Sequence, residues 1–510
     1  MGKRVAVVGS GCSGIAALWA LRNGTDHEVH LFEAASRLGG HTNTVTYEAM
    51  DGQEVVVDTG FTIMNTATYP NFIRFLKVLG IPTRRTEMTF AVSRDQGTFE
   101  WAGTSLSSIF AQKRNIFNPG MWRLLFDVIR FNEFALDLLQ DQPESERDAA
   151  GGMPKATGKP APEETIGEYL DREHYSPEFR DNYLIPRTAA IWSTSPDKSS
   201  EFPATTFVRF MHNHHLLRTN ASRPDWLTIS GGSNQYIDAV MEHFPSDQVH
   251  LKSNVTALTP TKRGSVILTA NERDYVFDHV ILATHGDQAL KILRPIASTQ
   301  EAEILSGFRT ARSVAVLHSD VSLMPKRKVA WSAWNYIAES PFPPLRSQTA
   351  PKTCLTYWMN LLQHIPQDKF GPVLVTLNPL NMPDPRLAQG IWEYSHPLYN
   401  AAAIRSQRLL PKIQNIRGIS YCGAWTGYGF HEDGFSSGLS VATNHLGAKL
   451  PFEFIDSTSS RGKRPTLTMK NHLLRLVILL LQIALLLVER AWHARTALLN
   501  RRTALAKKTS

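Results

Sequence analysis

Arg4 to Gly14, taken with Glu33 and the run Arg37-Leu38-Gly39-Gly40-His41, hold the residues whose types and spacing point most directly to chemistry. Arg4-Val5-Ala6-Val7-Val8 reads as a β-branched strand. Gly9-Ser10-Gly11-Cys12-Ser13-Gly14 then turns into an apolar helix over Ile15 to Leu21. In this spacing Gly9 permits the tight turn, Gly11 lets backbone N–H groups approach a pyrophosphate, and Gly14 lets helix pack on strand. The helix N-terminus adds the partial positive charge that phosphates require. A second strand, Glu28 to Phe32, ends at Glu33, nineteen residues after Gly14, where a carboxylate accepts a ribose hydroxyl. Strand, glycines, helix, second strand and acid fall in register, so a dinucleotide site is expected. The residues alone leave NAD or FAD open.

These groups need elements to hold them. A chain of 510 residues exceeds one core and is expected to form at least two domains. Val55 to Phe61 reads as a strand entering a glycine turn, and Asn71 to Leu79 has helical spacing. Residues 141–164, rich in Pro, Gly and charge, read as a surface insertion. Aromatic and apolar segments at Pro186–Ser193, Phe202–Leu217, Trp331–Tyr336 and Thr353–Leu362 suggest an α+β substrate domain. Ile229–Ser233, Val249–Leu258 and Asp278–Thr284 read as returns to the nucleotide domain. The expected division is 1–75, 225–290 and 405–450 for the nucleotide domain, 76–224 and 291–404 for the substrate domain, and 451–510 for a tail. Ile419 to Trp425 is a strand closing on Gly423, and the glycine-rich stretch Thr426 to Gly438 reads as a turn into a helix over Leu439–Leu446.

Gly39-Gly40 after Glu33 resembles the second glycine motif of the flavin amine oxidase superfamily, although members often carry Arg where this chain has His41. The order of segments over about residues 1–450 resembles the FAD-dependent amine oxidase and phytoene desaturase superfamily. Gly60-Phe61-Thr62-Ile63-Met64-Asn65, Trp331–Tyr336, Thr356–Asn360 and Gly429–Gly434 are similar to a subgroup of FAD/NAD-binding oxidoreductases linked to lipid-modifying methyltransferases. The resemblance implies an α/β fold with a Rossmann-type FAD domain interleaved with the substrate domain. It implies FAD on Gly9, Gly11, Cys12, Ser13, Gly14, Glu33, Ala34, Arg37, Gly39, Gly40 and His41. Val255 would line the adenine strand, Ala283 and Thr284 the pocket edge, and Gly423, Asp433, Gly434 and Gly438 a closing flavin motif.

A flavin brings the redox chemistry, and protein groups place a substrate C–H bond against it. With one nucleotide fold, reduction by substrate is expected rather than by NAD(P)H, with reoxidation by oxygen or another acceptor. The closing motif puts Trp425, Tyr428 and His431 forward as catalytic candidates. His431 beside Glu432 reads either as an acid/base group or as a histidine bonded within its loop. His285 has the same two readings. His212-Asn213-His214-His215 lacks a carboxylate or Cys partner at ligand spacing, so no metal is expected. Cys12, Cys354 and Cys422 indicate neither a disulfide framework nor a zinc site.

The net charge of +8 is unevenly placed: residues 461–510 hold eleven Lys/Arg and one acid, leaving 43 basic and 45 acidic residues before them. No basic stripe marks the body for nucleic acid. Leu476 to Val488 is apolar but for Gln482, shorter than the roughly twenty residues of a span. Arg475, Gln482, Glu489 and Thr496 make a polar stripe, and basic residues flank both ends. The expectation is a helix lying on the cytosolic face of an anionic membrane, with the terminal Lys507-Lys508 resembling an endoplasmic reticulum retrieval signal. The favoured function is FAD-dependent oxidation or dehydrogenation of an apolar, lipid-like substrate. The alternatives are an oxidase of soluble amines, a flavin-dependent isomerase and a non-enzymatic carrier like the Rab GDP-dissociation inhibitors.

Overall fold

The computed structural model describes residues 2–140, 164–192, 196–217, 224–339, 354–458 and 464–506. Nearly all of the expected insertion at 141–164 lies outside them, as do the terminal lysines. The first strand, Arg4–Val8, has four of its five side chains buried, which is why its run of Val and Ala can sit at the centre of a sheet. It pairs in parallel with Glu28–Phe32 on one side and His279–Leu282 on the other. Val249–His250 and Ile419–Tyr421 complete a five-stranded parallel sheet in the order 249, 28, 4, 279, 419. Helices Cys12–Gly24 and His431–Leu446 pack against each other beside it. Strand ends in such a sheet open onto a crevice where the order reverses.

Beyond it lies a seven-stranded mixed sheet, from Ala388–Pro397 through Thr310–His318, Leu374–Leu377, Cys354–Trp358, Trp334–Ala338 and Phe90–Arg94 to Phe99–Ala102. The two architectures alternate along the chain, with separate cores around Val5, Ile15 and Phe435 and around Phe131, Phe207 and Leu355. Val249–Leu258 divides: its first two residues join the parallel sheet, while Val255–Pro260 starts a three-stranded antiparallel sheet. Ile229 ends a strand paired with Ile63–Asn65 and Thr83–Thr86, so that segment does not return to the parallel sheet.

The closing motif differs from its expected form. The helix begins at His431, eight residues before Leu439, so Gly434 and Gly438 lie inside it. The reason is a close helix crossing. A Cβ at Gly434 would stand 2.6 Å from the Cys12 sulfur, and one at Gly438 2.1 Å from the Ser13 carbonyl oxygen. Four residues apart on one face, these glycines let the last helix lie on the first.

The tail is a helix over Met469–Ala506, and its segment Met469–Leu487 is long and apolar enough by length and composition to cross a membrane. The shorter count made from Leu476 to Val488 therefore does not exclude a span. The helix lies on Pro119–Phe134. Arg475 pairs with Asp137 at 2.8 Å and donates to the Glu133 carbonyl, and Asn471 donates to the Glu133 carboxylate. Ile478 and Gln482 are buried, whereas Leu473, Leu480 and Leu487 are each about 60 % or more exposed (66 %, 59 % and 61 %). This helix turns polar positions to the body and leucines outward, the reverse of a soluble surface helix.

Candidate active site

The glycine turn adopts the geometry its spacing requires. Gly9 has φ +101°, a conformation that a side chain would strain. A Cβ at Gly14 would fall 1.9 Å from the Gly9 carbonyl oxygen, so this helix turn must be bare to pack on the loop. Gly11 differs: a Cβ there meets nothing within 4 Å. It faces a cavity of about 700 Å³, where a phosphate group can reach the backbone.

The same cavity is lined by Gly9, Ser10, Cys12, Ser13, Glu33, Ala34, Gly39, Gly40 and His41 from the first segments. Val255, Ala283, Thr284, Gly423, Trp425 and His431 line it from the later ones. These residues come from five separate stretches of chain, converging at strand ends and helix starts. Glu33 does more than wait for a ribose. One carboxylate oxygen accepts the Ser10 N–H at 2.9 Å and the Ser10 hydroxyl at 2.6 Å, and the other accepts the Ala35 N–H at 2.8 Å. Ser10 Oγ in turn receives the Gly39 N–H at 3.2 Å, tying both glycine segments together.

Five residues expected at the cofactor lie behind the wall instead, and one expected catalytic residue joins them. The Arg37 guanidinium donates to the carbonyls of Leu38, Gly40 and Thr42, so it braces the loop. Gly14, Gly434 and Gly438 serve packing. Asp433 accepts the Phe430 N–H at 2.8 Å, holding the turn before the last helix, and burial pushes its carboxyl up to about 7. Tyr428 is directed into a small hollow with Tyr69 and Asp433, and its carbonyl accepts the Trp192 indole N–H at 3.0 Å. Its ring does not reach the large cavity because Phe430 and Phe210 stand between, Tyr428 packing edge-on to Phe210.

Trp425 lines the cavity as a fixed wall, its N–H donated to the Thr284 carbonyl at 2.8 Å and its ring 4.4 Å from Phe308. His431 stacks on Phe61 with centroids 3.7 Å apart and its Nε2 lies 3.2 Å from the Tyr236 hydroxyl. Burial depresses its pKa to about 3, so the imidazole is neutral at physiological pH. Glu432 is no partner for it. That carboxyl group accepts the backbone N–H groups of Asn71 and Phe72, each at 3.0 Å, at the start of helix Pro70–Val78. Of the two readings of His431, the geometry shows a neutral, hydrogen-bonded ring, and its neighbour Glu432 is a helix cap.

Sequence reading did not find Tyr236, which bridges His431 and Thr42 with a 2.7 Å bond to the latter. Nor did it find Tyr394 and His396, which end the long strand Ala388–Pro397 and reach the cavity beside His41. The dipeptide His396-Pro397 at a strand end was the available signal. In the His212–His215 turn only His214 faces the cavity, while His212 lines a separate hollow.

Away from the glycine turn the cavity continues between Met88, Ile191, Phe210, Leu216, Trp226, Trp334, Tyr357, Leu362 and Leu377. His214 lies among them with its Nδ1 on the Phe210 carbonyl, and burial depresses its pKa to about 4. Among the described lining residues, Glu33 is the one acid and Lys291 the one Lys or Arg, both outside this arm.

The site suits FAD: a bare backbone approach at Gly11, a carboxylate at the second strand end, and a cavity passing on to His431. Solved structures with the same fold include a CLA-producing fatty acid isomerase from P. acnes, at 14 % identity and TM-score 0.56 over 87 % of this chain and 99 % of that one. Cyclohexylamine oxidase from Brevibacterium oxydans IH-35A matches at 14 % identity and TM-score 0.57, over 87 % and 98 %. Putrescine oxidase bound to putrescine matches at 16 % and 0.58, over 88 % and 99 %. No curated protein matches in sequence. The model of the flavin containing amine oxidoreductases matches residues 12–319, more than half of the chain. With that match on a site built for a flavin dinucleotide, the chain belongs to the flavin-containing amine oxidoreductase family, and it is an FAD-dependent oxidoreductase.

Proposed function

We propose that this oxidoreductase removes hydride from an uncharged, apolar, lipid-like substrate at a membrane surface. The observation that carries the reading is the apolar arm of the cavity. An ammonium or carboxylate moved into it would lose its hydration without meeting an opposite charge among the described residues, at a cost of several kcal/mol (roughly). An aliphatic chain there gains about 25 cal/mol for each Å² removed from water. FAD, when bound, supplies the two-electron acceptor. The chain's own residues orient and desolvate: Phe210, Leu216 and Trp226 exclude water, and neutral His431, fixed by Phe61 and Tyr236, offers a hydrogen-bonding ring nitrogen at the wall. Reoxidation falls to oxygen or another acceptor.

The outward leucines of Met469–Leu487 support the membrane half of the reading, because a helix that hides Gln482 and exposes Leu480 is matched to hydrocarbon. The cytosolic leaflet, with anionic lipid beside the basic flanks of residues 461–510, is the surface we assign to it. The substrate reading is tested by the visible spectrum of the bound oxidised flavin, which responds to ligands placed against it. Dodecanol should perturb the band and Leu216→Lys should abolish that response. Perturbation by putrescine, unaffected by Leu216→Lys, would replace this reading with a soluble-amine oxidase.

A further inference from the structure

We infer that His41, His285 and His396 form a cationic clamp on the diphosphate of the cofactor, taking up protons as it binds. The inference rests on FAD occupying the glycine turn. It starts from a shortage of positive charge. The diphosphate brings two negative charges, and the helix N-terminus answers with about half of one. Glu33 adds a further negative charge at the same end. Among the described cavity residues Lys291 is the one ammonium or guanidinium, and Arg37 is engaged with three loop carbonyls.

The histidines stand where that charge is missing. His41 follows Gly40, whose Cβ position lies 3.2 Å from the Gly11 Cα. His285 follows Thr284, whose nitrogen lies 3.4 Å from the Cβ position of Gly9. Two segments flanking the phosphate turn thus each carry a histidine that lines the cavity. His41 is the hub, with ring centroids 5.1 Å from His396 and 6.1 Å from His285. All three line the cavity, and His396 Nδ1 is shielded within the protein without a hydrogen-bond partner.

The other groups facing the cluster are Arg37 and His431 toward His41, Asp287 toward His285, and the Tyr394 ring edge-on to His41. Without an anion, burial and mutual repulsion push His41 well below the ordinary histidine range and His396 to about 4. Burial lowers His285 as well, against the opposing effect of Asp287. A diphosphate reverses that balance by favouring the imidazolium. Cofactor binding then couples to proton uptake, and affinity declines as pH rises through the histidine range of the loaded protein.

The holoprotein should be diluted through a series from about pH 6 to about pH 8.5, with released FAD read by its fluorescence. Retention should fall with pH, by up to about tenfold per pH unit for each linked proton. His41→Asn, His285→Asn and His396→Asn together should flatten the slope. His41→Arg alone should hold FAD tightly at the alkaline end, which keeps the test decisive if the triple variant does not fold. ADP-ribose, which has the same diphosphate and no flavin ring, should bind the released protein with the same slope. Glu432→Gln, altering a buried acid behind the wall, should leave the slope intact. Bound FAD whose retention is flat with pH in the parent, or equally sloped in His41→Arg, would overturn the clamp. A pH-flat ADP-ribose affinity would overturn it too, placing the histidines at the flavin ring. A protein that carries no flavin at any pH would instead overturn the cofactor assignment beneath it.

Discussion

At the scale of single residues, Gly11 is the sharpest probe of the cofactor site. Its φ of −63° is ordinary and a Cβ there touches nothing, so Gly11→Val should fold normally. The valine side chain would nonetheless occupy the space that a phosphate needs. FAD affinity should drop at least about a hundredfold, ~2.7 kcal/mol, with little change in the far-ultraviolet circular dichroism. Full flavin content in purified Gly11→Val would place the cofactor elsewhere. Glu432 offers a pH test. Burial pushes its carboxyl up to about 8, and Asp433 to about 7, against ordinary values near 4. Between those limits the folded chain holds protons that the unfolded chain has released. The stability that these two carboxyls contribute is therefore fully present below about pH 4 and declines as pH rises toward 8. Each unit of displacement corresponds to about 1.4 kcal/mol, so each carboxyl contributes a decline of a few kcal/mol. Glu432→Gln should shallow it in denaturant melts at pH 5 and pH 8, and an unchanged difference between the two would contradict the assignment.

At the scale of elements, what could be read from the sequence was what is local. The first strand, turn and helix are contiguous, so Gly9, Gly11, Gly14 and Glu33 were legible from spacing. The last helix was not, since Gly434 and Gly438 in a glycine-rich stretch look like a turn until Cys12 and Ser13 are seen pressing on them. The histidine cluster was illegible for a related reason: His41, His285 and His396 belong to three distant segments that only the sheets bring together. The tail shows a third case, in which the polar stripe of Arg475 and Gln482 was visible but its direction was not. The folded body also extends past Leu450, because Phe452 stacks on Trp19, Ile455 donates to Asn71 and Thr458 accepts from Asn213. Truncation after Thr458 should therefore release a soluble flavoprotein, whereas the full chain should float with anionic vesicles in a density gradient. A truncated form that still floats would move the membrane contact to the body.

At the scale of the whole molecule, a cofactor end made of glycine backbone and histidine gives way to an arm made of aliphatic and aromatic side chains. The family match and the shared fold account for the first half. The second half, lined by Met88, Phe210, Leu216 and Trp226, is what the proposed substrate class rests on. Anaerobic titration of the purified, FAD-loaded protein tests that claim most directly, with bleaching of the oxidised flavin band as the readout. A neutral-lipid extract should bleach the band, while putrescine, cyclohexylamine and NADH should leave it oxidised. Rapid bleaching by either amine or by NADH, with none by the lipid extract, would contradict the account.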